Sequence, residues 1–385
     1  MTAMFLLNYI LLGFALCTGS PIVSQLSSYV DRPCGKDPKH LWLDIVAVVD
    51  NSKEMTDDGV LSIAGELSSL FSHAEQLGID PNQPRTTRIG LVTYNEEATV
   101  VADLNNITTA DELSNTLFAA LTWTSSVEHS YLQTGLKAAD DLLAKQSFNT
   151  SRGHYQKLVI VYASEYRVSG TQDPLPLATR MKTYLTIATV AYRQDIVVGF
   201  NDALTKIASP GYNFTNFNGN NVVSELKTTM IQVNCYCPNE WFQMRSSSKY
   251  GVCIRPFATM ATRTAARLSC RNQWNNAYML NEFTQMKHDF VLQVIGNITT
   301  FTQPYYIGLS YSNGNWQWDQ PNGQPLIPLE HWNNWSPGYP TASSTDTAVI
   351  NVNTSWQNTN PSLSNMYICE VAACDSANYC AAENI

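Results

Sequence analysis

Positive charge is scarce in this sequence. Lys and Arg number 23 against 32 Asp and Glu, which gives a formal net charge of −9 and a pI near 5.1. Nucleic-acid binding rests on clustered cations that neutralise phosphates, and no basic run occurs, so that class is excluded. Long apolar runs are also missing. The longest covers residues 4–16 and is broken only by Asn8, whereas a bilayer span needs about 20 residues. Glycine-rich phosphate loops are absent, with neither GxGxxG at a strand–helix turn nor a Walker pattern, so a nucleotide has no cradle. None of the six histidines stands in a His-x-x-x-His spacing, which argues against a zinc site of that type. Residues 35–234 contain no cysteine.

What is present describes a globular, exported chain. Hydrophobic residues make up 44% of 385, enough for a real core and for two or three domains. The short apolar run is followed by the small residues Ala15, Cys17 and Gly19. This is the pattern of a signal peptide over 1–19, although its first residues carry no Lys or Arg. Cleavage would remove Cys17 and leave eight cysteines, and an even set in an exported chain reads as a disulfide framework. Cys34 stands alone, while Cys235, Cys237, Cys253, Cys270, Cys369, Cys374 and Cys380 crowd the C-terminal part. Two domains of different character therefore meet near residue 235, and the organisation expected is a linker over 20–37, domains over 38–234 and 235–372, and a tail over 373–385. Sequons occur at Asn106, Asn149, Asn213, Asn297 and Asn353, and at Asn334, where Pro337 follows. They permit glycosylation in an extracellular setting.

In the first domain the nearly unbroken apolar run 43–49 ends at Asp50, which suits a strand buried on both faces. Asp57 and Asp58 can cap a helix whose apolar positions run from Val60 to Leu77, with Gly78 as its stop. Strands are expected at 89–94, 98–103, 158–163 and 185–192, and helices at 111–121, 131–146, 176–182, 202–208 and 222–233. That alternation implies a doubly wound, mostly parallel α/β sheet whose ligands bind beyond the C-terminal strand ends. Asp50-Asn51-Ser52-Lys53-Glu54 lies there. The segment resembles a von Willebrand factor A domain, in which Asp-x-Ser-x-Ser, a Thr on a second loop and an Asp after the fourth strand hold Mg²⁺. Asp50 and Ser52 match that pattern. The third position is Glu54, the Thr position falls at Leu132 and the second Asp at Ser164. Two remnant ligands then remain, with Glu54 and Glu165 as possible substitutes. His129 and His154 read as solvated loop residues.

The second segment resembles a C-type lectin-like domain, an α+β fold. The resemblance rests on Cys237-Pro238-Asn239-Glu240-Trp241, Tyr250-Gly251-Val252-Cys253, a helix over 258–271 carrying Cys270, Tyr306-Ile307-Gly308-Leu309, Trp316-Gln317-Trp318-Asp319 and Tyr367-Ile368-Cys369-Glu370. A second helix is expected over 281–294. The resemblance implies bridges Cys237–Cys253 and Cys270–Cys369. The family's further bridge has no cysteines here near Thr347 or Ala348 or near Pro361, so the long loop must be held otherwise or be mobile. Cys34 and Cys235 flank the first domain, as a bridge tying its ends requires, which leaves Cys374 with Cys380. Four cysteines allow three pairings, and the sequence does not choose.

Sugar binding in this family usually uses Ca²⁺ held by Glu-Pro-Asn and Trp-Asn-Asp. Here those positions read Tyr339-Pro340-Thr341 and Trp356-Gln357-Asn358, without a carboxylate. The ligand-contact candidates are Trp335, Tyr339, Thr341, Trp356 and Asn358, with Trp332 beside them and Tyr339 as the best exposed contact. No cofactor is expected, since Ca²⁺ or Mg²⁺ would meet only remnants of either site. No Ser/His/Asp order, Cys–His pair or paired carboxylates point to an enzyme. The combination resembles a nematode family of secreted proteins, which implies extracellular recognition of a glycan or protein in innate defence. The alternative is an adhesion protein of extracellular matrix or cuticle that uses both domains as docking surfaces. The sequence is silent on oligomeric state.

Overall fold

The computed structural model describes residues 30–72, 77–80, 82–148, 150–192, 199–217, 220–342 and 347–381. The segment read as a signal peptide, most of the expected linker and the sequon at Asn149 lie outside them.

The first sheet grows from β1 (Leu43–Asp50), all eight of whose residues are buried. It is joined by β2 (Arg88–Tyr94), β3 (Ala98–Ala102), β4 (Gln156–Ala163), β5 (Thr186–Ala191) and β6 (Asn213–Thr215) in the order β3-β2-β1-β4-β5-β6. Only β3 runs antiparallel to its neighbour. Alternate β1 side chains feed two cores. Ile45, Ala47 and Val49 pack with Ile63 and Leu67 of α1 (Asp57–Phe71) and with Leu226 and Met230 of α6 (Val222–Val233). Val46 and Val48 pack with Leu136 and Ala139 of α3 (Leu132–Leu143) and Leu204 of α5 (Phe200–Ile207). The remaining helices are α2 (Ala110–Ala120) and α4 (Pro174–Met181). This is the doubly wound, mostly parallel α/β arrangement expected. Three details differ. The cap of α1 is Thr56, whose hydroxyl accepts the Gly59 N–H, with Asp57 and Asp58 inside the first turn. That helix ends at Phe71. The short edge strand β6 has only half-buried residues and no apolar alternation, so its sequence did not mark it.

The second domain is an α+β fold. Its nine-stranded sheet follows the path β12 (Ile327–Pro328), β11 (Asn315–Trp318), β10 (Tyr305–Ser312), β15 (Asn365–Ala372), β8 (Lys249–Ala261), β7 (Phe242–Arg245). The hairpin β13 (Thr347–Val352) and β14 (Ser355–Thr359) pairs with β10, and β9 (Tyr278–Met279) with β15. Helices α7 (Arg263–Gln273) and α8 (Gln285–Gly296) flank it. Residues 258–261, read from the sequence as helix, are strand. Phe257 stacks on its cross-strand partner Tyr367 at 5.1 Å, and sheet pairing wins as far as Ala261 before the Thr262 cap starts α7. Gly308 is required where it stands, because a Cβ there would lie 2.6 Å from Asn281 Oδ1 and 2.7 Å from the Leu280 carbonyl oxygen.

Disulfides join Cys34 to Cys235, Cys237 to Cys253, Cys270 to Cys369 and Cys374 to Cys380. The long loop, which lacks the family's further bridge, is held by hydrogen bonds. Trp356 N–H donates to the Asn334 carbonyl (2.7 Å), Ser336 N–H donates to the Trp356 carbonyl (2.9 Å), and Arg263 N–H donates to the Pro361 carbonyl (3.0 Å).

The described end of the linker and the tail are built into the fold. Asp31 is buried beside Lys287 (3.3 Å), which also reaches Glu370 (2.8 Å), and Gly251 N–H donates to the Arg32 carbonyl. Residues 31–35 therefore pack on the second domain. Ala373 to Ser376 are likewise buried, and Asp375 accepts both Arg32 guanidinium branches (2.7 and 2.9 Å) and the Gly35 N–H. The Trp42 indole donates to the Asp375 carbonyl and lies among Tyr155, Tyr236 and Tyr379. The Cys374–Cys380 loop thus clasps the first domain near the start of β1, at the end opposite Asp50. His154 belongs to this cluster, with its ring 4.6 Å from Tyr155 and hydrogen-bonded to Tyr379, so it is not the solvated loop residue expected. Burial lowers its pKa.

Candidate functional site

Two places carry the residues singled out from the sequence. The first is the C-terminal end of β1. Asp50 is fully buried, and its Oδ1 accepts the Ser52 N–H (2.9 Å). Its Oδ2 accepts the hydroxyls of Ser130 (2.8 Å) and Ser164 (2.6 Å) and the Ser164 N–H (3.2 Å). Burial raises its pKa despite these donors. The Ser52 hydroxyl is buried without a partner. Ser130, not Leu132, is therefore the residue of the second loop that meets Asp50. Leu132 begins α3 and turns into the core, while the chain two residues earlier still crosses over Asp50. Gly135 permits that approach, because a Cβ there would sit 2.7 Å from Val48. Glu54 is exposed. Glu165 accepts the Ser130 N–H and pairs with Arg167 (2.9 Å), so both its oxygens are engaged. His129 is partly exposed, 3.9 Å from Glu165.

This donor set does not fit the family's Mg²⁺. The oxygens of Asp50 and of Glu165 are all already acceptors, and the position of the family's second carboxylate holds Ser164, which donates to Asp50. Restoring the charge should restore the ion. Ser164→Asp is expected to destabilise the protein by about 3 kcal/mol without metal, because two carboxylates then share one buried site. Millimolar Mg²⁺ should recover that loss, while the parent shows no such recovery. Melting temperatures with Mg²⁺ and with EDTA check this.

The second place is the long loop of the lectin-like domain. Asn358 Oδ1 accepts from Thr341 N–H (2.8 Å) and from its hydroxyl (3.1 Å), and Asn358 Nδ2 donates to the Thr341 carbonyl (3.1 Å). The structure brings these two candidates together, but as each other's partners. Tyr339 is half-buried, and the bond between it and Pro340 is cis. With Tyr339, Thr341, Gln357 and Asn358 at the ligand positions, no carboxylate is offered to Ca²⁺, and the set does not fit the ion.

Trp356 is not a ligand contact. It is fully buried, its indole donates to Glu282 Oε2 (2.8 Å), and Trp318, Trp332 and Trp335 pack edge-on around it at 5.2–5.7 Å. Trp332 and Trp335 are half-buried by that packing and form no joint exposed patch with Tyr339. The sequence reading missed the residues beneath. Buried His288 meets Glu282 through Nδ1 (2.9 Å) and the Thr354 carbonyl through Nε2 (3.1 Å). Burial opposes the imidazolium, but the Glu282 carboxylate outweighs it, and the His288 pKa is raised. Stability from this pair is present below the ordinary value near 6.5 and is lost as pH rises through the folded one. Imidazole NMR titration should show the raised value in the parent and a lower one in Glu282→Gln, where only the Thr354 carbonyl and Asp289 still oppose burial.

The sequons differ in access. Asn106, Asn297 and Asn353 are exposed. Asn213 Nδ2 donates to Asn201 and Thr205, and Asn334 Nδ2 donates to the Thr354 carbonyl (2.6 Å).

Among the described residues no helix is long and apolar enough to cross a membrane, and four disulfides accord with an oxidising compartment. A family model for the von Willebrand factor type A domain matches residues 44–229, and one for the C-type lectin domain matches residues 259–371. C-type lectin domain-containing protein 160 of Caenorhabditis elegans is 28% identical over 370 residues, covering 91% of this chain and 56% of the nematode protein. The chain thus spans little more than half the length of that relative. Among solved structures, proximal thread matrix protein 1 from the mussel byssus has a TM-score of 0.40 at 18% identity, with 51% of this chain and 47% of that one covered. Human lithostathine has a TM-score of 0.30 at 20% identity, with 35% of this chain and 99% of its own covered. Both matched domain types are binding modules, and no enzyme family is indicated. The chain therefore carries a von Willebrand factor type A domain followed by a C-type lectin domain, and it is similar to a nematode C-type lectin domain-containing protein.

Proposed function

We propose that this chain is a secreted recognition protein of innate defence that binds an extracellular glycan or protein ligand through its lectin domain, without the family's Ca²⁺-dependent sugar site. The observation that carries this reading is the mutual hydrogen bonding of Thr341 and Asn358 at positions where the family's ligands face an ion. A neutral amide and a hydroxyl that already satisfy each other have no charge with which to hold Ca²⁺. Binding of the intact protein to a glycan array, in Ca²⁺ and again in EDTA, tests it. Signal that persists in EDTA supports the reading, and signal abolished by EDTA overturns it.

The second reading, adhesion in matrix or cuticle, is favoured by one feature of the first domain. Trp123 is 72% exposed on the loop that also carries Ser130, and Leu61 and Phe118 of α1 and α2 are exposed as well. Exposed apolar groups mark a docking surface where they form one patch. Co-purification with insoluble matrix, without any glycan signal, would favour it over the first.

A further inference from the structure

We propose that the face of the β10–β11 hairpin carrying Tyr311 and Trp316 is a stacking platform for a neutral hexose residue, with Thr341 as its hydrogen-bonding wall. This rests on the lectin-domain reading above and names where on that domain the sugar would sit.

Tyr311 and Trp316 are direct cross-strand partners, so their side chains leave the sheet on one face, and their rings lie 5.2 Å apart. The hairpin between them turns through Asn313 and Gly314, both in the left-handed region (φ 51° and 80°), which fixes the register of the pair. Both rings are half-buried. With Pro340, Thr341 and Ala342 they line a depression of about 280 Å³.

The platform is rigid from behind. Trp316 meets Trp335 edge-on at 4.8 Å, and Trp335 meets buried Trp356 at 5.7 Å. Little ordering entropy is then lost when a ligand lands on it. An aromatic face is electron-rich and attracts the weakly positive C–H groups of a pyranose ring, a contact that needs no ion. Thr341 supplies the polar complement. Its proton goes to Asn358 Oδ1, so its oxygen still accepts, and among the described residues the second Nδ2–H of Asn358 meets no acceptor and can donate beside it. A sugar hydroxyl, which both donates and accepts, matches that pair. Among the described residues that line it none is charged, which favours a neutral sugar over a sulfated or sialylated one.

The test uses the intact chain, in Ca²⁺ and again in EDTA, titrated calorimetrically with neutral oligosaccharides of glucose, galactose and mannose. At least one should bind. Trp316→Ala and Tyr311→Ala should each weaken it at least about tenfold, as loss of a ring at a binding centre does, and Trp316→Phe should weaken it less. Tyr311→Ala and Trp316→Phe decide the matter where Trp316→Ala disturbs Trp335 and the fold. Folded variants that bind like the parent overturn the platform while leaving metal-free recognition standing, and so does binding confined to charged glycans. Binding of none of the panel in either condition also overturns the platform. Binding that vanishes in EDTA instead overturns the metal-free reading itself.

Discussion

Asp44→Asn should cost about 3–5 kcal/mol of stability, because it strips the counter-charge from two buried guanidinium groups at once. Asp44 is fully buried on β1 and accepts Arg88 through two nitrogens (2.9 and 2.6 Å), Arg152 Nε (2.9 Å) and the Ser147 hydroxyl. Arg88 is its direct neighbour on β2, and Lys157 its neighbour on β4. Burial alone would raise the Asp44 pKa, but the two arginines outweigh it and hold the carboxyl below the usual range. The stabilisation is therefore present above about pH 4 and is lost as pH falls through the folded value. Urea unfolding at pH 7 should show the full loss in the variant, and the gap to the parent should narrow in acid. An unchanged midpoint at pH 7 would contradict the network.

Asp375→Ala should be of similar size, about 3–5 kcal/mol, and should act on the join between the domains. This carboxylate takes both branches of Arg32 and the N–H groups of Gly35, Ala377 and Asn378. Its loss removes the acceptor of Arg32 Nη2 and of the Gly35 and Ala377 N–H groups, while Arg32 Nη1 keeps the Gly251 carbonyl and the Asn378 N–H keeps the residue-375 carbonyl, and the Cys374–Cys380 loop loses its anchor beside Trp42. Calorimetry should show one transition in the parent and two in the variant. Hydrogen exchange should rise over residues 374–380 and around Trp42. A single unshifted transition in the variant would show that the loop bears no load between the domains.

Much of the fold was legible because its signals are local. The run from Leu43 to Val49 announces a doubly buried strand, and the helical stripe from Val60 announces its covering helix. Asp44 already broke that apolar run, yet its partners lie 44 and 108 residues away, and no periodicity points to them. Ser130 was missed for a related reason. The family pattern placed the ligand position at Leu132, two residues too late, and only the path of the chain before α3 shows which hydroxyl reaches Asp50. The absence of carboxylates at Tyr339, Thr341, Gln357 and Asn358 could be read directly, but the bonding of Thr341 to Asn358 could not. Trp356 looked like a contact because sequence does not distinguish a tryptophan beneath a binding face from one upon it. Residues 31–35 and 373–380 looked like connecting chain because their burial depends entirely on distant partners.

The most direct measurement is a thermal titration of the intact protein with Ca²⁺ and Mg²⁺, run beside glycan binding in EDTA. Recognition without a metal predicts no rise in melting temperature below 1 mM of either ion (about 4 kcal/mol of binding free energy) and glycan binding that survives the chelator. A sub-millimolar, EDTA-reversible rise, with binding lost alongside it, would contradict it.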